Sequence, residues 1–261
     1  MPAFLIVAIF GAVLSGISLA IFAPYVTLRK ISYMGEALSH IAFAGIAIAI
    51  VTGMNLNLSA MIFVSAVALG ISWLARHQKL QEANTITIFL SLSMALGIIL
   101  ISLSKSYSFD LASYLFGNVL LIHYSEVWAL AGLALINIIY VSFFYKELFY
   151  LSYNPEMAKV FRIRTGTVDK IFYVLLAANI VLNLKSAGII LVTAQLILPA
   201  VIAFNLVHRL HHALIVSVIA AIISALAGFG LSYLLNLPTG ATIVMCQALL
   251  YALSFIFKRS L

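Results

Sequence analysis

Arg29-Lys30-Ile31-Ser32-Tyr33-Met34-Gly35-Glu36-Ala37-Leu38-Ser39-His40 runs without interruption into Ile41-Ala42-Phe43-Ala44-Gly45-Ile46-Ala47-Ile48-Ala49-Ile50-Val51-Thr52. A basic pair therefore precedes a mostly apolar run from 32 to 52. About 20 such residues suffice to cross a hydrocarbon core of about 30 Å, so the run reads as a transmembrane helix. Two ionisable side chains, Glu36 and His40, lie inside it. Ionisable groups are expensive in a membrane, and each one is a functional candidate.

The rest of the chain repeats this pattern. Of 261 residues, 65% are hydrophobic and only 8% are charged, which excludes a water-soluble globule. Apolar runs broken by charge, Pro or Gly predict spans near 3–27, 32–52, 58–75, 85–104, 126–145, 169–184, 187–206, 213–235 and 239–257. The sixth is short, so a count of eight is also open. The stretch from Phe109 to Ile122 is too short to cross and contains Gly117 and Asn118, so a half-helix or re-entrant piece is expected there. The first apolar run has no basic residue before it and no cleavage-like site, and it is expected to remain as the first helix. The fold class is thus all-α: a polytopic bundle of about eight or nine spans, with residues 1–261 forming one domain.

Charge gives the orientation. Arg29 and Lys30, Arg76 and Lys79, the group Lys146, Lys159, Arg162, Arg164 and Lys170, then Arg209, then Lys258 and Arg259 fall on one side of a nine-span arrangement. Only Lys105 and Lys185 fall on the other. Basic loops stay cytoplasmic, so the C-terminus is expected inside and the N-terminus outside a cell membrane. The net charge of +7 is accounted for in this way, without nucleic acid. A single cysteine, Cys246, excludes an internal disulfide framework.

Glu36 and His40 stand at i, i+4 and so share a helix face about one turn apart. Carboxylate and neutral imidazole are ligands for zinc, manganese or ferrous iron, and Ser39 places a hydroxyl nearby. Two ligands do not close a structural site, which suits an ion that must be released. The alternative is structural: Glu36 pairing with Arg29 or Lys30, and His40 capping a neighbouring carbonyl. His123 and Glu126, three apart at the outer end of a span, read either as a meeting point for a cation or as an interfacial pair. His208, His211 and His212 read as loop residues.

The loop from about 146 to 170 is the longest hydrophilic stretch and the natural contact for a cytoplasmic partner. Within it Asn154 is placed to cap a short helix, Pro155 suits its first turn and Glu156 its positive end, while Met157, Val160 and Phe161 share one face. A helix lying on lipid headgroups is the other reading. The run from Gly188 to Ala200 holds Thr193, Gln195 and Pro199 in an apolar context, either as part of a pathway or as ordinary packing. No phosphate-binding loop of the G-x-x-x-x-G-K-[ST] kind occurs, so an ATP-driven role requires a separate nucleotidase.

These blocks together resemble the permease subunits of bacterial and archaeal ABC importers for divalent transition metals: Arg29 through His40, Tyr114-Leu115-Phe116-Gly117-Asn118, Asn154-Pro155-Glu156-Met157-Ala158, Gly188 through Ala200, and Leu237-Pro238-Thr239-Gly240-Ala241. The resemblance implies the architecture of the vitamin B12-type (type II) importers with fewer helices, often eight. It also implies a transport subunit without enzymatic activity, paired with a second copy of itself, two copies of an ATPase that binds ATP, and an extracytoplasmic metal-binding protein. It makes Asn154, Pro155, Glu156, Met157, Val160 and Phe161 the coupling helix. Glu36 and His40 become transient ligands of the transported metal, with no tightly bound cofactor; imidazole ligation alone, not the resemblance, puts zinc ahead of manganese and iron. Family members commonly carry Asp where this chain has Glu36, so the carboxylate here reaches one methylene further. A proton-coupled carrier acting without an ATPase is the competing expectation.

Overall fold

The computed structural model describes residues 3–78, 82–103, 122–161, 163 and 165–257, and among these every regular element is an α-helix. In chain order they are α1 (Ala3–Ala20), α2 (Ala23–Leu28), α3 (Met34–Thr52), α4 (Leu56–Gln78), α5 (Glu82–Leu103), α6 (Tyr124–Phe143), α7 (Tyr145–Tyr153), α8 (Pro155–Val160), α9 (Thr165–Leu206), α10 (Leu210–Leu235) and α11 (Thr239–Ile256). Among the described residues, eight stretches are long and apolar enough to cross a membrane, with α1 and α2 counting as one, Phe4–Leu28. Pro24 in the first turn of α2 supplies no N–H to the preceding turn, and the helix is interrupted there. The expected half-helix lies outside the described residues except for its end, Ile122, which is buried against Gly11.

The longest helix decides the topology. A straight helix of 42 residues would extend about 63 Å, twice the thickness of a hydrocarbon core. Gly188, at φ 75° and ψ 166°, breaks it with a conformation closed to residues that carry a Cβ. The first leg, from Thr165 to Ala187, runs antiparallel to α1 and α6: Asp169 meets Arg29, Asn183 meets Ser18, and Lys185 meets Glu126. The second leg, from Ile189 to Leu206, runs alongside α11 in the same direction, with Gly240 against Ala187, Gln247 against Gln195, and Ser254 against Asn205. The chain therefore turns back at Gly188. The two legs are the stretches that the sequence presents as separate spans near 169–184 and 187–206.

These legs and α3 form the centre of the packing. Phe22 and Tyr25 from the first span pack on Phe172 of the first leg at centroid distances of 5.0 and 6.5 Å. Polar groups cross the same interface: Asn137 Nδ2 donates to the carbonyl of Ser18 at 3.2 Å and to Oδ1 of Asn179 at 2.9 Å, while Asn183 Nδ2 donates to Ser18 Oγ at 3.3 Å. Such bonds hold helices together where no hydrophobic force exists between apolar surfaces. The stretch from 146 to 170, expected as a loop, is mostly helical, comprising most of α7, all of α8 and the first turn of α9.

Candidate functional site

Small residues let α3 be approached closely on three sides. A Cβ on Gly35 would stand 2.8 Å from Leu196 of the second leg of α9, and one on Gly45 would stand 2.6 Å from Ala60 Cα of α4. On α5, a Cβ on Gly97 would collide with Phe43 at 2.6 Å. What these neighbours leave uncovered is a stripe at the start of α3 containing Tyr33, Glu36 and His40. Tyr33 and Glu36 are exposed and His40 is half-buried. Gly35 meets Leu196 near the middle of the second leg, so exposed Glu36 lies about level with the middle of that leg although it stands at the start of its own span.

The structural pairing open to Glu36 in sequence is not formed. Arg29 turns to Asp169, its Nη1 lying 2.6 Å from Oδ1, and its guanidinium stacks 4.2 Å above the ring of Phe172. Among the described residues neither Glu36 nor His40 makes a side-chain hydrogen bond or an ion pair, and no group of three or more His, Cys, Asp or Glu could hold a metal ion. One protomer thus presents two potential ligands on a face that its other described residues leave at least partly open.

The other singled-out residues are placed as follows. Ser39, beside the stripe, is buried and donates to the carbonyl of Gly35 at 2.8 Å. Thr193 is half-buried and donates to the carbonyl of Ile189 at 2.9 Å. Gln195 is buried and bonded to Gln247, and Pro199 is buried within the second leg. Asn154 caps α8 through Oδ1, which accepts from the N–H of Met157 at 3.1 Å. Met157, Val160 and Phe161 are exposed, so α8 offers an apolar surface. For Pro155 and Glu156 the structure describes the backbone alone, at the start of α8. At the far end, Glu126 accepts from the N–H of His123 at 3.0 Å and from Lys185 Nζ at 2.6 Å, so its carboxylate serves a helix cap and an ion pair.

Asp169 and the asparagines Asn137, Asn179 and Asn183 escape the sequence reading. An i, i+4 Asn pair in an apolar run is visible at 179 and 183, but its partners lie on other helices.

The ABC 3 transport family model matches residues 1–258. The chain belongs to this family. The manganese transport system membrane protein MntC of Listeria monocytogenes is 36% identical to it over 254 residues, covering 97% of this chain and 90% of that protein. The high-affinity zinc uptake system membrane protein ZnuB of Haemophilus influenzae is 29% identical over 255 residues, covering 96% and 97%. Among solved structures, PsaBC from Streptococcus pneumoniae in complex with Fab superposes at a TM-score of 0.83 with 28% identity, covering 97% of this chain and 91% of that one. This ABC 3 chain is accordingly a multi-pass membrane permease of the metal-importer kind, as the sequence blocks imply.

Proposed function

We propose that two copies of this chain form the membrane pathway of an ATP-driven importer for a divalent transition metal, with Glu36 and His40 of each copy meeting the ion in transit. The observation that carries this reading is the uncovered stripe on α3. A carboxylate and an imidazole facing lipid from within a bundle would be costly, and a second copy placed over that face removes the cost. Two copies bring two carboxylates and two imidazoles, a set that stabilises a dehydrated divalent cation and favours transition metals over magnesium or calcium.

Imidazole alone puts zinc first. The manganese systems among the relatives, at higher identity, and the equal share of carboxylate shift the proposal to manganese, with zinc next. The exposed apolar face of α8 is the docking surface for a cytoplasmic ATPase, and an extracytoplasmic metal-binding protein delivers the ion at the opposite end. The basic loops put α8 and the C-terminus in the cytoplasm. The whole chain acts as one permease domain. No tightly bound cofactor is required, and ATP binds the partner.

Reconstitution tests this. Proteoliposomes holding the chain, its ATPase and the binding protein should accumulate manganese or zinc only with ATP and only when all three are present. Uptake by the chain alone, driven by a proton gradient, would replace the importer reading with a carrier.

A further inference from the structure

Arg29 and Asp169 form a buried ion pair, with side chains 8% and 6% exposed and Nη1 to Oδ1 at 2.6 Å. Its contacts reach several elements. Arg29 Nε donates to Ser152 Oγ of α7 at 3.4 Å, and Ser72 Oγ of α4 donates to Asp169 Oδ2 at 3.2 Å. In the sequence, Ser152 lies just upstream of α8 and Asp169 lies just downstream, near the start of α9. The short docking helix is thus bracketed by two residues that hold the same guanidinium. Arg29 itself ends α2 and opens the turn that leads into α3, where Lys30 takes a left-handed φ of 60° and Met34 N bonds back to Ile31 O at 2.8 Å. Glu36 lies in the first turn of α3. Ser72 adds a second tie, because α4 packs along α3 at Gly45.

We propose that the Arg29–Asp169 pair is the positioning element that carries movement of α8 to the helix bearing Glu36 and His40. This rests on the reading in which α8 docks an ATPase. A buried ion pair adds little net stability over an apolar replacement, but it fixes one arrangement of the groups it joins, because separating the charges there is costly. A displacement of α8 therefore moves Arg29 with it instead of being absorbed in side-chain rearrangement, and the short turn from 30 to 33 passes that displacement to α3.

The test is the ratio of metal ions imported to ATP hydrolysed in the reconstituted complex, compared among wild type, Asp169→Asn and the charge swap R29D/D169R. Asp169→Asn should co-elute with the ATPase and hydrolyse ATP at a rate within about twofold of wild type, while the ratio falls about fivefold or more; the swap should recover part of it. A purely structural role would lower assembly, hydrolysis and uptake in proportion and leave the ratio unchanged, which overturns the proposal. If Asp169→Asn does not assemble, Ser152→Ala decides. It removes one contact on the α8 side, and a reduced ratio supports the proposal whereas an unchanged one rejects it. Absence of ATP-dependent uptake in wild type would instead reject the importer reading itself.

Discussion

Gln195 on the second leg of α9 accepts a 2.7 Å hydrogen bond from the side-chain amide of Gln247 on α11, with both side chains almost wholly buried. The pair ties the returning leg to the last helix at a level where water is scarce. Replacing Gln195 with Leu leaves the Gln247 amide without that partner and should destabilise the protein by about 1–3 kcal/mol. The double variant Q195L/Q247L removes both polar groups and should recover most of that loss. Thermal unfolding of the purified protein in detergent, arranged as a double-mutant cycle, checks the non-additivity.

At Gly45, α3 and α4 approach closely. A side chain there meets the backbone at Ala60, which cannot swing aside, and Ser59 Oγ donates to the Gly45 carbonyl at 2.7 Å across the same contact. Gly45→Leu should cost about 1–3 kcal/mol by forcing the helices apart. Gly132→Ala has open space around it and should leave stability unchanged or raise it by less than about 1 kcal/mol. Parallel melting curves of the two variants would separate close approach from helix propensity.

Legibility in the sequence follows what is local. The i, i+4 spacing of Glu36 and His40 guarantees a shared face wherever α3 lies, so that part of the candidate site is readable without coordinates. Its level along the bundle is not, because that depends on Gly35 meeting Leu196, a residue far along the chain that no spacing rule connects to it. The break at Gly188 is foreshadowed by Lys185 and Ser186 interrupting an apolar run, and the two legs were therefore separable in advance. Asp169 carries no local mark of its role: an Asp at the start of a span reads as a boundary residue until Arg29, 140 positions away, is brought against it. The cap at Asn154 was readable because capping is chemistry between residues three apart.

The short helix α8 depends on that cap. Asn154→Ala should weaken it by about 1 kcal/mol and reduce the amount of ATPase that co-purifies. Val160→Asp places a charge on the exposed apolar face without touching the core, since Val160 is 73% exposed. Pull-down of the ATPase should fall sharply for Val160→Asp while the permease keeps its melting temperature. Retention of full binding by both variants would move the docking surface elsewhere.

The Lys185–Glu126 pair lies beside the turn at Gly188, with Lys185 44% exposed. Exposed pairs contribute about 0.2–1 kcal/mol, so Lys185→Ala should shift the unfolding midpoint only slightly, and less still at high salt. A large destabilisation would mean that the pair supports the turn at Gly188 itself.

The central claim is that the uncovered face of α3 meets the transported metal. Its most direct test is ATP-dependent uptake of radioactive manganese and zinc by proteoliposomes carrying Glu36→Ala or His40→Ala, each assembled with its ATPase and binding protein. The account predicts that either variant loses uptake of both metals by about 100-fold while co-purification with the ATPase is unchanged. Uptake at the wild-type rate in both variants would contradict it.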